Sequence, residues 1–375
     1  MITSTTGELL SSSLAEELSE RIRCQGKITF REWMEAALYH PTLGYYNRTD
    51  LKRWGRDGDY RTSPERSDLF AATFARHFVR LYEQLDRPGE FTIVEVGGGD
   101  GHFAAGVLET IEKLSPSVFD VTRYVCVELS PDARSRTAER LLKFNGHVEF
   151  AKLTELAPIK AGVIFSNELL DAFPVHRLTS VDGELKELFV TVDVEGNFAW
   201  LAAELSTQKL YEFCRNEIPL LVNGQIIEVN LRIEDWLNTI AEKLVNGYLI
   251  TVDYGAEAEE LYDASVRLKG TLRAFRRHEF VDELLTKPGE YDITTSVDWT
   301  FVKNVGQRLG LTVERFQPLD RFLIEAGALE QIEDRLAAAS SESEKSSLTA
   351  TAREMILPSG MAAHFQVLVQ KRRTT

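Results

Sequence analysis

Apolar positions along the chain form two patterns, short continuous runs and longer segments with an apolar residue every three or four positions. Residues 91–94 are apolar or β-branched and lead into Glu95. A glycine-rich stretch follows, after which apolar residues recur at helical spacing, at Phe103, Val107, Ile111 and Leu114. The pattern predicts a buried strand, a turn and a helix in succession.

Further apolar runs are typical of buried strands, at 124–128, 163–166, 248–253, 311–316 and 365–370. Helical patterns separate the first few, and strands that alternate with helices imply a parallel sheet with right-handed crossovers. Before residue 91 the spacing is helical, with helices predicted around 14–22, around 30–38 and from Ser63-Pro64-Glu65 onward. We therefore predict an α/β fold, with residues 1–90 as a helical region on the substrate side and residues 91–375 as the sheet domain.

Two segments interrupt the alternation of strands and helices. Residues 175–230 contain the turn sequences Asp182-Gly183 and Glu195-Gly196-Asn197, which predict hairpins in a small inserted subdomain. Residues 256–300 form a second insertion, and whether it is a lid stays open. Within it, a basic run resembles a solvated helix face and leads into His278; the run consists of Arg273, Arg276 and Arg277.

Composition and charge narrow the classes of partner. The 375-residue chain is 43% hydrophobic and contains no apolar stretch of bilayer length, so we predict no membrane span. Its 43 basic and 58 acidic side chains give a formal charge of −15, which argues against nucleic acid as a substrate. Three widely spaced cysteines indicate neither a disulfide framework nor a metal site. We predict a cytoplasmic protein, because the first residues lack a hydrophobic signal core and carry acids that are rare in mitochondrial leaders, namely Glu8, Glu16, Glu17 and Glu20.

The spacing of the glycines after the 91–96 strand indicates the ligand. Gly97, Gly99 and Gly101 step by two residues, whereas a dinucleotide turn has the spacing G-x-G-x-x-G and its third position here is His102. The pattern E-x-G-x-G-x-G, which begins at Glu95, is typical of S-adenosylmethionine sites. An ordinary tight turn and a nicotinamide oxidoreductase remain the alternatives.

Two acids are assigned to that cofactor. Glu128 ends the next predicted strand, where a carboxylate can accept hydrogen bonds from two ribose hydroxyls. Glu95 can order the glycine turn and receive the ligand ammonium through backbone or water. The alternative for Glu128 is a capping acid before a helix that starts at Ser130-Pro131-Asp132.

The segment 167–174, Asn-Glu-Leu-Leu-Asp-Ala-Phe-Pro, places two acids and an amide directly after an apolar strand. Glu168 and Asp171 are predicted catalytic residues, because planar carboxylates could hold a guanidinium bidentately and direct one nitrogen at a sulfonium methyl. Asn167 is assigned to the cofactor site. The alternative is a helix N-terminus whose acids oppose the helix dipole.

Several motifs taken together resemble one family. They are Gly-Asp-Tyr-Arg-Thr-Ser-Pro-Glu at 58–65, the turn at 95–101, Val-Glu-Leu-Ser-Pro at 127–131, the segment 167–175, Val-Asp-Tyr-Gly at 252–255, and Asp-Ile-Thr with Val-Asp-Trp at 292–299. The chain is similar to the MidA-like methyltransferases, which include the mitochondrial complex I assembly arginine methyltransferase and bacterial relatives. The resemblance implies a class I, Rossmann-like methyltransferase with a seven-stranded, mostly parallel sheet and S-adenosyl-L-methionine as cofactor.

The resemblance also implies roles for single residues. Gly97, Gly99, Gly101 and Glu128 match the cofactor site, and Asp59, Ser63 and Pro64 match motifs on the acceptor side, with Asp253 and Tyr254 nearby. His278 matches a family histidine and is assigned a catalytic role. The implied partner is a protein with an exposed arginine, in the mitochondrial branch a respiratory-complex subunit. A non-catalytic assembly factor that binds the cofactor is the alternative, and the oligomeric state stays open, with a homodimer possible.

Overall fold

The structure is a computed structural model that describes residues 13–51, 68–276 and 279–373. Its helices are α1 (Leu14–Gln25), α2 (Phe30–Tyr39), α3 (Asp68–Gln84), α4 (His102–Leu114), α5 (Pro116–Val121), α6 (Pro131–Arg140), α7 (Gln208–Glu217), α8 (Arg232–Lys243), α9 (Ala258–Leu261), α10 (Ala264–Arg267), α11 (Trp299–Arg308), α12 (Leu319–Glu325), α13 (Ala328–Ala338) and α14 (Glu342–Ile356). Its strands are β1 (Ile28–Thr29), β2 (Phe91–Val96), β3 (Thr122–Val127), β4 (Val148–Phe150), β5 (Gly162–Asn167), β6 (His176–Val181), β7 (Glu184–Val192), β8 (Phe198–Ala203), β9 (Ile226–Val229), β10 (Asn246–Ala256), β11 (Arg273–Arg276), β12 (Glu279–Phe280), β13 (Asp292–Thr294), β14 (Val297–Asp298), β15 (Leu311–Pro318) and β16 (Phe365–Arg373).

The central sheet has the strand order β15-β16-β10-β5-β2-β3-β4, and the short β14 pairs with the end of β10. The pairs from β10 to β4 are parallel. The last strand, β16, lies antiparallel between β10 and β15. The prediction of a Rossmann-like α/β fold with a seven-stranded, mostly parallel sheet is confirmed.

The five further apolar runs all lie in strands of this sheet, but β4 was not predicted. It is three residues long, lies at the sheet edge and has no fully buried residue. A short, half-buried edge strand lacks the continuous apolar run that marks a central parallel strand such as β2, in which every residue is buried.

Helices cover both faces of the central sheet. One face packs against the aromatic side of α3 and against α4, and the other packs against α8 and α11. Phe74 of α3 lies 4.9 Å from Phe165 of β5, measured between ring centroids. The predicted domain boundary at residue 90 therefore differs from the packing boundary, because α3 belongs to the core of the sheet domain.

The segment 175–230 forms the inserted subdomain that the turn sequences predict. Strands β6 to β9 make an antiparallel sheet of order β1-β7-β6-β9, with β8 on β7. The N-terminal strand β1 joins this sheet, and α2 packs on it, with Phe30 5.1 Å from Trp200 between ring centroids. The helices α1 and α2 thus pack on the insertion, whereas α3 packs on the central sheet.

The segment 256–300 differs from the prediction at its basic run. Residues 273–276 form β11, which pairs with β13 and β12 in a small antiparallel sheet. A helix face is therefore wrong for this segment, because Arg273 is half-buried in a strand and Arg276 pairs with Glu290 at 3.0 Å. No helix in the described part of the chain is both long and apolar enough to cross a bilayer.

Candidate active site

The predicted site residues that the structure describes lie along one edge of the central sheet. The glycine turn follows β2, Glu128 follows β3, and the segment 168–171 follows β5. Asp253 lies one residue beyond the last β5–β10 pair, Asn167 with Val252. Because these strands are parallel, their carboxyl ends meet at the edge where α/β sheets bind ligands.

The glycine turn has a backbone conformation that explains the two-residue spacing. Gly97, Gly99 and Gly101 have φ angles of 75°, 59° and 80°, in the left-handed region that favours glycine. The intervening Gly98 is also constrained, since a Cβ there would lie 2.5 Å from Cδ of Glu95. Side chains are therefore excluded from four of the five turn residues for steric or conformational reasons.

Glu95 lies directly beneath this turn. Its side chain is buried, and the Tyr124 hydroxyl donates to its Oε2 at 2.8 Å. Burial and the charge of Glu95 raise the pKa of Tyr124 well above its ordinary value, so Tyr124 remains a hydrogen-bond donor. This geometry places the Glu95 carboxylate where it can order the turn from inside the protein.

Glu128 connects the turn to the next βα unit. Its Oε2 accepts from the backbone N–H of Gly99 at 3.0 Å, and its Oε1 accepts from that of Ser130 at 2.8 Å. The Thr137 hydroxyl donates to the Gly99 carbonyl at 2.9 Å. The capping alternative does not account for the contact between Glu128 and Gly99, which holds the glycine turn.

These residues fit S-adenosylmethionine. The half-buried Glu128 offers carboxylate oxygens, which are the acceptors that ribose hydroxyls require. The glycine backbone provides an approach without side chains, and α4 begins at His102, directly after the turn.

The segment after β5 is a turn that leads into β6, and no helix begins there. The alternative of a helix N-terminus with acids is therefore wrong. Glu168 has a φ of 47°, a left-handed conformation that is uncommon for a residue with a side chain and that recurs at functional sites. The Asn167 amide donates to Oε1 of Glu168 at 3.3 Å.

Asp253 holds this turn in place. Its Oδ2 accepts from the backbone N–H groups of Leu169, Leu170 and Asp171, at 3.2, 3.0 and 3.3 Å. Its Oδ1 accepts from the N–H of Tyr254 at 2.9 Å. A completely buried carboxylate that receives four backbone donors is an organising group for the turn, and the sequence had suggested a position near the acceptor.

Asp171 is the most deeply buried acid of the turn, with 3% of the residue exposed. The Tyr254 side chain interacts with its carboxyl group, while its Oδ1 has no hydrogen-bond partner among the described residues. Burial raises the pKa of Asp171 to about 6. An unsatisfied buried oxygen is costly, which points to a ligand donor at this position.

Three residues that the sequence did not single out also hold the turn, two through side chains and one through its backbone, from three different parts of the chain. The Tyr39 hydroxyl donates to the Ala172 carbonyl at 3.0 Å, and the Asn230 amide donates to the Leu170 carbonyl at 3.1 Å. The Thr295 N–H donates to the Asp171 carbonyl at 2.9 Å. No local signal marks them, since each contact spans at least 60 residues.

Four predicted site residues lie outside the described residues. They are Asp59, Ser63, Pro64 and His278. The predicted helix start at 63–65 lies outside them too, and the described part of α3 begins at Asp68.

Comparison with known proteins decides the family. The family model described as "Putative S-adenosyl-L-methionine-dependent methyltransferase" matches residues 73–317. The chain belongs to this family, the MidA-like methyltransferases. Its cofactor is S-adenosyl-L-methionine, as predicted, and membership of this family decides against the nicotinamide oxidoreductase.

Relatives extend the similarity beyond the matched region. The mitochondrial protein arginine methyltransferase NDUFAF7 homolog of Drosophila melanogaster is 28% identical over 336 residues, which cover 82% of this chain and 73% of the relative. Its human counterpart is 24% identical, with 78% and 69% covered. A crystal structure of a Burkholderia thailandensis protein bound to S-adenosyl-homocysteine is similar with a TM-score of 0.85 and 26% identity, covering 96% of this chain and 92% of that one.

The names of these relatives contradict the prediction of a cytoplasmic protein, since the curated relatives are mitochondrial. The prediction was wrong partly because it read the acids near the start of the chain as evidence about a targeting segment. Glu16 completes a capping box with Ser13 at the start of α1, and Glu17 lies in the same first turn. These acids belong to the folded protein, so they carry no information about a targeting segment.

Proposed function

We propose that this methyltransferase transfers a methyl group to an arginine side chain of a protein. The observation that carries the proposal is the buried Asp171 carboxyl group, whose Oδ1 lacks a partner among the described residues, next to Glu168 at the cofactor edge of the sheet. The relatives named protein arginine methyltransferase support the same class of acceptor. Respiratory-complex subunits, which the family resemblance implies, are the first acceptors to test.

The cofactor side of the site consists of the glycine turn, Glu95 and Glu128. When bound, S-adenosylmethionine supplies an electrophilic methyl group on its sulfonium. Glu128 accepts hydrogen bonds from the ribose diol, and Glu95 keeps the turn in its left-handed conformation from below. Asn167 orients Glu168 through their hydrogen bond, between the two halves of the site.

The acceptor side consists of Glu168 and Asp171. Two carboxylates can bind a guanidinium by paired N–H···O bonds and hold one nitrogen in line with the methyl group, at roughly 3–3.5 Å. Arginine stays protonated in proteins until it reacts, so a carboxylate that orients it can also accept the proton that methylation releases. With a pKa of about 6, the Asp171 carboxyl group is ionised at neutral pH. It is also a stronger base than an ordinary carboxylate toward the proton that methylation releases.

Asp253 and Tyr254 act through the acids. Asp253 fixes the backbone of the turn, and the Tyr254 side chain interacts with the Asp171 carboxyl group. Asp59, Ser63, Pro64 and His278 remain predictions of acceptor-side and catalytic roles that rest on the family resemblance alone.

The test is transfer of label from S-adenosyl-[methyl-¹⁴C]methionine to protein extracted from cells that lack this protein. We expect labelled arginine after hydrolysis with the wild-type protein and at least a hundredfold less with Asp171→Asn or Glu168→Gln. Asp282→Asn and Glu90→Gln, which alter exposed acids, are matched controls. Label that appears only in a small molecule would overturn the proposal that the substrate is a protein.

The same variants address the alternative of a non-catalytic assembly factor. If cells expressing Asp171→Asn or Glu168→Gln grow as the wild type does, and both variants bind S-adenosyl-homocysteine, then cofactor binding alone suffices for function. Loss of function with binding intact supports chemistry.

A further inference from the structure

An arginine of the second insertion lies beside the proposed acceptor acids. The Arg273 guanidinium stacks on the Tyr254 ring, with Cζ 4.8 Å from the ring centroid. Tyr254 in turn interacts with the Asp171 carboxyl group. We propose that Arg273 is a positioning residue, whose charge and stacking on Tyr254 keep the Asp171 carboxylate ionised and directed at the acceptor; this inference rests on the proposed function.

The backbone provides a second connection between Arg273 and Asp171. Arg273 pairs with Thr294 in the β11–β13 register, and the adjacent Thr295 donates to the Asp171 carbonyl. Arg273 Nη2 also donates to Oγ of Ser296 at 3.2 Å. One short strand pair therefore fixes both the guanidinium and the backbone of the acid.

The inserted subdomain holds this strand pair from its other side. Glu228 of β9 is buried and accepts from the N–H and hydroxyl of Thr271, at 2.6 and 3.1 Å, while Arg177 of β6 donates to it at 3.2 Å. The Thr271 hydroxyl then accepts from the N–H of Ser296 at 3.1 Å. Arg273 is thus positioned by buried charge-assisted contacts that do not touch the cofactor edge.

Among the described residues, one cation acts on Asp171. Asp253 and Tyr254 face it from β10, Tyr39 from α2, and Arg273 from β11. Of these, Arg273 supplies the positive charge and lowers the pKa of Asp171, against the effect of burial. The basic run that resembled a solvated surface therefore contains a residue with an electrostatic partner inside the site.

The proposal predicts a change in pH dependence. The positive charge of Arg273 lowers the pKa of Asp171, so Arg273→Met should raise that pKa. With a starting value of about 6, the ionised fraction at pH 7 falls about twofold for a one-unit shift and about tenfold for two units. kcat/KM should fall by the same factor at pH 7 and recover as the pH rises.

The experiment compares wild type, Arg273→Met, Arg273→Lys and the control Arg276→Met. Arg276 lies on the same strand but pairs with Glu290 at the surface. The first readout is the ¹³Cγ titration of Asp171 in the apo protein labelled with ¹³C-aspartate, assigned with Asp171→Asn. The second is the pH profile of arginine methylation, measured with the protein extract described above.

We expect both midpoints to move upward in Arg273→Met, to stay close to wild type in Arg273→Lys, which keeps the charge, and to be unchanged in Arg276→Met. An unmoved Asp171 titration, with methylation reduced equally at every pH, overturns the proposal. An Asp171 midpoint in Arg273→Lys that moves as far as in Arg273→Met also overturns it. If Arg273→Met fails to fold, Arg273→Lys is compared with wild type alone, and an Asp171 midpoint that moves upward despite the retained charge overturns the proposal. A shifted titration in a protein that methylates no arginine supports the coupling and overturns the proposed function instead.

Discussion

Replacement of Asp171 by asparagine should stabilise the protein at neutral pH, although it removes a proposed catalytic residue. Burial raises the pKa of this carboxyl group from 3.8 to about 6. Between these values the folded protein binds a proton that the unfolded chain has released, so the free energy of unfolding decreases as the pH rises through this window. At ~1.36 kcal/mol per unit, the cost of the buried charge above pH 6 is about 3 kcal/mol.

Asparagine keeps the shape of the side chain and does not ionise. We expect Asp171→Asn and wild type to have similar free energies of unfolding near pH 4, and the variant to be more stable by about 3 kcal/mol at pH 7. Urea unfolding followed by circular dichroism from pH 4 to 7.5 measures the difference, with the exposed Asp282→Asn as control. Curves for Asp171→Asn and wild type that run parallel across this range would refute the reasoning.

Three further changes test other parts of the structure. Gly99→Val should abolish binding of S-adenosyl-homocysteine in calorimetry, because a β-branched residue is strained at a φ of 59°. The control Gly89→Val, where a Cβ would meet no atom within 4 Å, should bind as wild type does. Equal affinity of Gly99→Val and wild type would refute the assignment of the glycine turn to the cofactor site. Asp253→Ala leaves three backbone N–H groups of the 169–171 turn without their acceptor, and at ~1–3 kcal/mol each it should destabilise the protein by about 3 kcal/mol or more; a change below ~0.5 kcal/mol in urea unfolding would contradict this. Burial lowers the pKa of His77 to about 4, so His77 alone should destabilise wild type by about 3 kcal/mol as the pH falls from 6.5 to 4. The difference in free energy of unfolding between His77→Phe and wild type should therefore grow by about that amount over this range, and a difference that stays constant would count against the burial argument.

The sequence predicts the parts of the fold and site that depend on neighbouring residues. The strand, glycine turn and helix from residue 91 onward are readable because a central parallel strand is apolar on both faces and because alternate left-handed residues must be glycine. Glu128 and Glu168 are readable because acids directly after apolar strands have few structural explanations.

The role of Asp253 could not be predicted from the sequence, because Asp253 accepts hydrogen bonds from backbone N–H groups more than 80 residues away along the chain. Arg273 is misread for a related reason. A basic run has the same composition on a solvated helix as on a strand that places one of its side chains on a half-buried tyrosine, and only the pairing of β11 with β13 distinguishes them.

The central claim is tested most directly by mass spectrometry of arginine methylation in protein from cells that lack this protein, after incubation with S-adenosylmethionine and either wild type or Asp171→Asn. Calorimetry with S-adenosyl-homocysteine first verifies that both bind the cofactor product. We predict methylated arginine peptides with wild type and none above background with Asp171→Asn. Equal methylation by the two proteins, or none by wild type with the cofactor site intact, would contradict the account.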